Sequence, residues 1–255
     1  TGGYNTAIGY QALSTEDTGS YNTAIGRGTL QNQDAGNAYN TAVGYNAGTN
    51  VTTGTSNTLI GGVAGDSLTT GSNNVAIGYA ALATEDAHGR NVAVGYKALE
   101  TQDAGADAYN IAIGYNAGQA MTTGGSNTLI GGNAGDALTS GSFNVAIGTK
   151  ALSAEDAHGK NVAIGYNTLY AQDAGADGNN VAVGYNAGLS VTTGVYNTLV
   201  GGAAGDALTT GAYNVVMGTH ALSSEDTGSR NVAIGQGALQ SLNYDGNGYN
   251  VAVGH

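Results

Sequence analysis

One pentapeptide governs what this chain can become. The string Asn-[Thr/Val/Ile]-[Ala/Leu/Val]-[Ile/Val/Met]-Gly occurs fifteen times, opening at Asn5, Asn22, Asn40, Asn57, Asn74, Asn91, Asn110, Asn127, Asn144, Asn161, Asn180, Asn197, Asn214, Asn231 and Asn250. The intervals are 17, 18, 17, 17, 17 and 19 residues, and then 17, 17, 17, 19 twice over. Four units thus make a register of 70 residues, in which Asn40, Asn110, Asn180 and Asn250 are equivalent. Repetition on this scale points to a stacked array rather than a set of globular domains. Residues 1–255 read as one continuous repeat with no linker, expected to be a window of a longer fibre.

A unit of 17 residues is too short for two helices and carries no helical period. Within Asn110-Ile111-Ala112-Ile113-Gly114 the alternation has period two: Ile111 and Ile113 share one face, and Asn110, Ala112 and Gly114 share the other. A short strand with a glycine-rich return, repeated this way, predicts an all-β parallel β-solenoid of about 15 coils of 17–19 residues. Equivalent strands would stack at about 4.8 Å. The column holding Val94, Ile113 and Ile130 is predicted to be buried, inside the chain's own coil or between chains. Two volume exchanges are expected. Leu59, Leu129 and Leu199 replace Ala in coils that carry a glycine pair such as Gly61-Gly62. Leu82, Leu99, Leu152, Leu169, Leu222 and Leu239 give way elsewhere to Gly48, Gly65, Gly118, Gly135, Gly188 and Gly205. Those glycine coils supply Val51, Leu68, Met121, Leu138, Val191 and Leu208 three positions later. The closing Gly is expected to need positive φ or a close backbone approach. The opening Asn is expected to hydrogen-bond along the ladder or to satisfy a turn.

Composition removes other classes. There are 45 Gly, no Pro, no Cys and no Trp, and only 9% of residues are charged. Collagen needs Gly at every third residue with abundant Pro; a disulfide framework or thiolate zinc site needs Cys. The net charge of −12 argues against nucleic acid, which is held by clustered Lys and Arg. No apolar run is long enough to insert in a membrane.

The strings Asn5–Leu13 (NTAIGYQAL), Asn74–Leu82 (NVAIGYAAL) and Asn91–Leu99 (NVAVGYKAL) resemble the head repeats of YadA-like trimeric autotransporter adhesins and related repeats of phage tail fibres. That resemblance implies a left-handed β-roll, a homotrimeric rod, and an extracellular role on a cell-surface appendage or a virion. Two departures stand out: these coils are longer than usual in adhesin heads, and the chain holds no neck, coiled-coil stalk or anchor.

Catalytic signatures are missing. No Gly-x-Ser-x-Gly elbow, phosphate loop or His-Glu-x-x-His occurs, so neither an enzyme nor a cofactor is expected. Acidic residues are ordered: Glu-Asp pairs begin at Glu16, Glu85, Glu155 and Glu225, and single acids stand at Asp66, Asp136 and Asp206. A solvated face that keeps the rod soluble is the expectation, with Asp66, Asp136 and Asp206 as the candidates for Ca²⁺. His88 and His158, in equivalent Glu-Asp-Ala-His-Gly loops, are read as exposed turns. Of 16 Tyr, most flank the strands; Tyr45, Tyr115 and Tyr185 are candidates for stacking on sugar rings, against the alternative of Tyr stacking on Tyr. The expected function is a structural fibre or adhesin shaft, as a homotrimer or an end-to-end homo-oligomer, with a host-surface glycan or protein receptor. A receptor-free filament is the alternative, ahead of an ice-binding solenoid or a polysaccharide-active β-helix.

Overall fold

A computed structural model describes residues 2–255. They form two compact units, one ending at Ser126 and the other spanning Asn127–His255. The first holds β1 (Thr6–Ile8), β2 (Thr23–Ile25), β3 (Thr41–Val43), β4 (Thr58–Ile60), β5 (Val75–Ile77), β6 (Val92–Val94) and β7 (Ile111–Ile113). The second holds β8 (Thr128–Ile130), β9 (Val145–Ile147), β10 (Val162–Ile164), β11 (Val181–Val183), β12 (Thr198–Val200), β13 (Val215–Met217), β14 (Val232–Ile234) and β15 (Val251–Val253). Within each unit consecutive strands pair in parallel and in sequence order. Motif positions align without slippage: Val75 faces Val92, Ala76 faces Ala93 and Ile77 faces Val94. Each unit is therefore an all-β parallel solenoid with one motif per turn, about fifteen turns in all. No helix occurs among the described residues, so none is long and apolar enough to cross a membrane.

With the motif Asn as position 1, the reason for the pentapeptide is geometric. The Asn is buried, and its side chain serves two coils at once. Asn144 Oδ1 accepts from the Asn161 backbone N–H in the next coil at 3.0 Å, while Asn144 Nδ2 donates to the His158 carbonyl of its own return at 3.2 Å. Both roles expected for Asn are thus combined in one residue. The Gly at position 5 satisfies both of its expected requirements as well. Gly78 has φ +136°, and a Cβ there would stand 2.2 Å from the Gly95 carbonyl oxygen. No L side chain fits between such carbonyls.

The strand faces remove one of the two placements expected for the aliphatic column, the one inside the chain's own coil. Ala112 is fully buried, whereas Ile111 and Ile113 are each 38% exposed. The inward face is Asn, Ala and Gly, and the aliphatic column that includes Val94 and Ile113 points out of the coil. The coil is narrow at this wall, so Ala fills the inward position in most turns, and the larger Leu or Val216 enters only in some. Leu59, Leu129 and Leu199 are inside too, but not because of the Gly61-Gly62 type of pair. Their room comes from position 9: a Cβ on Gly65 would lie 2.8 Å from Leu59 Cδ2 and 2.9 Å from Leu68 Cδ1. Gly62 instead sits at the surface, beside the Tyr79 ring. The second exchange is as expected, since Leu82, Leu99 and Leu152 are buried, and so are Val51, Leu68, Met121, Leu138, Val191 and Leu208.

The return segment turns by left-handed residues more than by glycine. Leu82 has φ 50°, Lys97 φ 55°, Tyr109 φ 55° and Arg90 φ 64°. Such backbone costs roughly 1–2 kcal/mol per non-glycine residue. It is held by hydrogen bonds between turns, among them Leu82 N–H to Ala98 O at 3.0 Å and Lys97 N–H to Tyr79 O at 2.9 Å.

Candidate interaction surface

The outward strand face is a ribbon two residues wide per coil. Positions 2 and 4 hold only Thr, Val, Ile and Met, so no charge interrupts it within either unit. Besides Ile111 and Ile113, the large exposed apolar residues on it include Ile25 and Ile60 in the first unit and Val181, Val215 and Met217 in the second. Isolated exposed aliphatics are ordinary; a contiguous, uncharged apolar strip marks an interaction surface.

Tyrosines border the ribbon on both sides. Before the Asn, Tyr4, Tyr21 and Tyr39 stack with ring centroids 5.1 and 5.0 Å apart, and Tyr196 stacks on Tyr213 at 5.0 Å. After the Gly, Tyr79, Tyr96 and Tyr115 stack at 5.6 and 5.3 Å, and Tyr166 stacks on Tyr185 at 5.5 Å. Tyr115 and Tyr185 therefore each have one ring face against another Tyr. The Tyr45 ring lies 5.3 Å from the Arg27 guanidinium, which also reaches its hydroxyl. Arg90 and Arg230 take similar positions over Tyr109 and Tyr213. The few cations of this chain are spent on aromatic faces and on loop carboxylates. In the longer loops Arg90 pairs with Asp107 at 2.6 Å, and Lys160 with Asp177 at 2.6 Å. Lys160 holds the Asp177 carboxyl below its ordinary value, chiefly through that hydrogen bond.

The acids divide into three environments. Asp66, Asp136 and Asp206 are half-buried. Burial pushes the carboxyls of Asp66 and Asp206 up. Asp136 accepts from Asn133 Nδ2 at 2.7 Å and from the Ser153 hydroxyl. None of the three belongs to a group of three or more acids and histidines among the described residues. The Glu-Asp pairs are not a uniform solvated face. Asp86 and Asp156 are exposed, but Glu85, Glu155 and Glu225 are fully buried. They occupy position 12, the column that elsewhere holds Leu68, Met121, Leu138 and Leu208. The signal for this was present: the register that predicted burial for Leu68 also places Glu85, one 17-residue turn later.

Gln33, Gln102 and Gln172 also fill that column and were not singled out from sequence. They belong to the coils opening at Asn22, Asn91 and Asn161, which lead into the longer spacings and whose own Nδ2 atoms lack partners. Gln102 bridges the enlarged turn, accepting from Asn110 Nδ2 at 2.8 Å and donating to the Thr122 carbonyl at 2.8 Å. Gln33 and Gln172 repeat the arrangement.

His88 and His158 are part-buried rather than free turns. His158 Nδ1 approaches Glu155 Oε1 at 3.5 Å, and His88 Nδ1 approaches Glu85 Oε1 at 3.7 Å. Burial is the main cause of the raised carboxyl of Glu155, opposed by the His158 amide and imidazole; Glu85 is raised in the same way. The class these features define is a parallel β-solenoid repeat protein with an uncharged apolar strand face. No protein-family model, curated protein or solved structure matches the chain.

Proposed function

We propose that this protein is a structural shaft of an extracellular fibre or adhesin, whose copies associate in parallel through the outward strand face. The observation that carries this reading is the uncharged, largely aliphatic face at positions 2 and 4, half-buried to exposed while the Ala column beside it fills the coil. A second copy of this chain is the occupant that fits best. Only an array with the same turn spacing keeps one uncharged pair opposite another at every step. The Tyr columns then form a polar-tipped rim around an apolar seam, as interfaces commonly have. The resemblance to trimeric adhesin heads sets the expected number at three, around an axis parallel to the stack. In that assembly Ile113 is buried between chains and not inside one. Tyr45, Tyr115 and Tyr185 remain the candidates for contact with a host-surface glycan.

Sedimentation equilibrium on the whole chain and on Ile111→Lys/Ile113→Lys tests the reading. The parent is expected to be a trimer, and the variant a monomer with unchanged far-ultraviolet dichroism. A monomeric parent at high micromolar concentration overturns the proposal, as does a variant that associates like the parent. Indefinite rods in electron micrographs of the purified chain would replace the shaft with a receptor-free filament.

A further inference from the structure

The least expected feature of the molecule is a buried carboxylate facing a buried imidazole nitrogen, with neither satisfied. Glu155 is fully buried at position 12. Its Oε1 accepts from the His158 backbone N–H at 3.1 Å, but Oε2 has no hydrogen-bond partner. His158 Nδ1 is likewise buried without one. Asp156 and Asp173 reach the same place from the solvent side. One ligating atom from each of Glu155, Asp156, His158 and Asp173 lies within 4.8 Å of all the others. Glu85, Asp86 and His88 repeat the cluster in the other unit, again with His88 Nδ1 unpartnered, although there the Ala104 backbone N–H reaches the Glu85 carboxylate.

A third Glu-Asp pair supplies an internal control. At Glu225 the His position is Gly228 and the Asp173 position is Asn243. There both carboxylate oxygens are satisfied by the protein itself: Oε1 accepts from Gly228 N–H at 2.7 Å, and Oε2 from Tyr244 N–H at 3.0 Å. The fold can therefore close this corner around a buried Glu without help. Glu16, in the first turn, also leaves Oε2 without a partner, but Gly19 stands there in place of a histidine. An orphaned carboxylate oxygen together with an orphaned imidazole nitrogen is found at Glu155 and His158.

We propose that Glu155, Asp156, His158 and Asp173 bind a divalent transition-metal cation of the Zn²⁺ class, and that Glu85, Asp86 and His88 form its counterpart. A cation would complete the two orphaned atoms at once and would offset the buried negative charge. One imidazole nitrogen with carboxylate oxygens is a donor set for Zn²⁺, Co²⁺ or Mn²⁺; a cage for Ca²⁺ is built of oxygens alone, and the imidazole adds nothing to it. The exposed Asp156 and Asp173 give the ion its path from solvent. The role is structural: the site ties a return segment to the loop of the next turn.

The test is calorimetric titration of the chelator-treated full chain with Zn²⁺, paired with ligand-field absorption after Co²⁺ addition. His158→Gly and His88→Gly are the informative variants, because Gly19 and Gly228 already occupy that place in the same fold. Two Zn²⁺ per chain are expected, with each single variant losing one and the double variant losing both while its dichroism is unchanged. Binding that survives in the double variant, or no binding in the parent, overturns the proposal. A single Zn²⁺ abolished by His158→Gly keeps the four-ligand site and overturns its counterpart. Tight Ca²⁺ binding indifferent to both histidines also overturns it. The outcome is independent of the oligomeric state, so failure here leaves the shaft reading standing.

Discussion

The Asn and Ala of the strand wall and the side chains of the far corner are all buried, yet the two walls differ in how much variety they accept. At the strand wall the Asn and the Gly are the same in every turn, and the residue between them is Ala in most. At the far corner, position 12 is filled by Glu, Gln, Val, Leu or Met. Burial alone would constrain both alike. What separates them is the direction of the contacts. At the wall, backbone meets backbone vertically, through the Asn Oδ1 ladder and the stacked glycine carbonyls, so each residue is fixed by the turn above and the turn below. At the corner, side chains meet side chains, and any set that closes volume and hydrogen bonds is accepted. Internal sameness in this solenoid tracks backbone approach rather than hydrophobicity.

The comparison breaks most readily at the glycine column. Gly78→Val places a Cβ at φ +136°, 2.2 Å from the Gly95 oxygen and 2.6 Å from its carbonyl carbon. Both obstacles are backbone, so relief requires the turns to part. A loss above about 4 kcal/mol is expected in urea denaturation, in the range reserved for strained or overpacked buried sites. Gly62→Ala, one residue beyond the previous motif, meets only the Tyr79 ring at 3.4 Å and serves as the matched control. If Gly78→Val unfolds at the same denaturant concentration as Gly62→Ala, the close-approach account of the wall is wrong.

A side-chain pair sharpens the contrast on a smaller scale. Asn144→Ala removes the acceptor of Asn161 N–H and the donor to the His158 carbonyl, leaving two backbone groups bare. The expected cost is about 2–4 kcal/mol. Gln172→Met gives the corner a residue that Met121 already supplies at an equivalent turn. It strips the Thr192 carbonyl of one donor, while Asn180 Nδ2 keeps its bond to Gly194 O at 2.8 Å. About 0.5–1.5 kcal/mol is expected, because the Thr192 carbonyl loses one of two donors and keeps the Asp173 N–H at 3.0 Å. Equal losses in thermal or urea unfolding would mean that the two walls are governed by the same rule.

How much of this was legible follows from the same distinction. The strand wall announces itself in sequence, because a period-two pentapeptide with a fixed Asn and Gly has few structural solutions. The parallel stack, the Asn ladder and the positive-φ Gly all follow from it. Which strand face points inward does not. Ile111 and Ile113 look like core by hydropathy, and only the narrowness of the coil sends them outward and keeps Ala112 in. The corner is harder still. Glu85 reads as a surface acid until it is aligned in register with Leu68, since local charge says nothing about the turns stacked above and below. Left-handed Leu82 and Tyr109 run against residue propensity and are set by bonds between turns, which no local window contains.

The corner also titrates, which the Asn–Gly wall cannot. In chelator-treated protein, burial raises Glu85 and Glu155 above their ordinary value of 4.5, and Asp66 and Asp206 above 3.8. An acid raised in the folded state binds its proton more tightly there than in the unfolded chain. Its stabilising contribution is complete below the unfolded value and is lost as pH rises through the folded one. The metal-free chain should therefore melt higher at pH 5 than at pH 7. Asp177 works the other way, being held low by Lys160, but it is solvent-exposed and contributes little. Glu85→Gln/Glu155→Gln should raise the neutral-pH melting temperature of the metal-free chain and flatten its rise on acidification. Asn57→Ala should lower the melting temperature by the same amount at both pH values, because its partners, the Asn74 N–H and the Gly71 carbonyl, belong to residues that carry no titratable group. A double Gln variant that melts lower than the parent at pH 7 without metal would mean that the buried carboxylates stabilise this corner as anions, and that the protein alone already satisfies them.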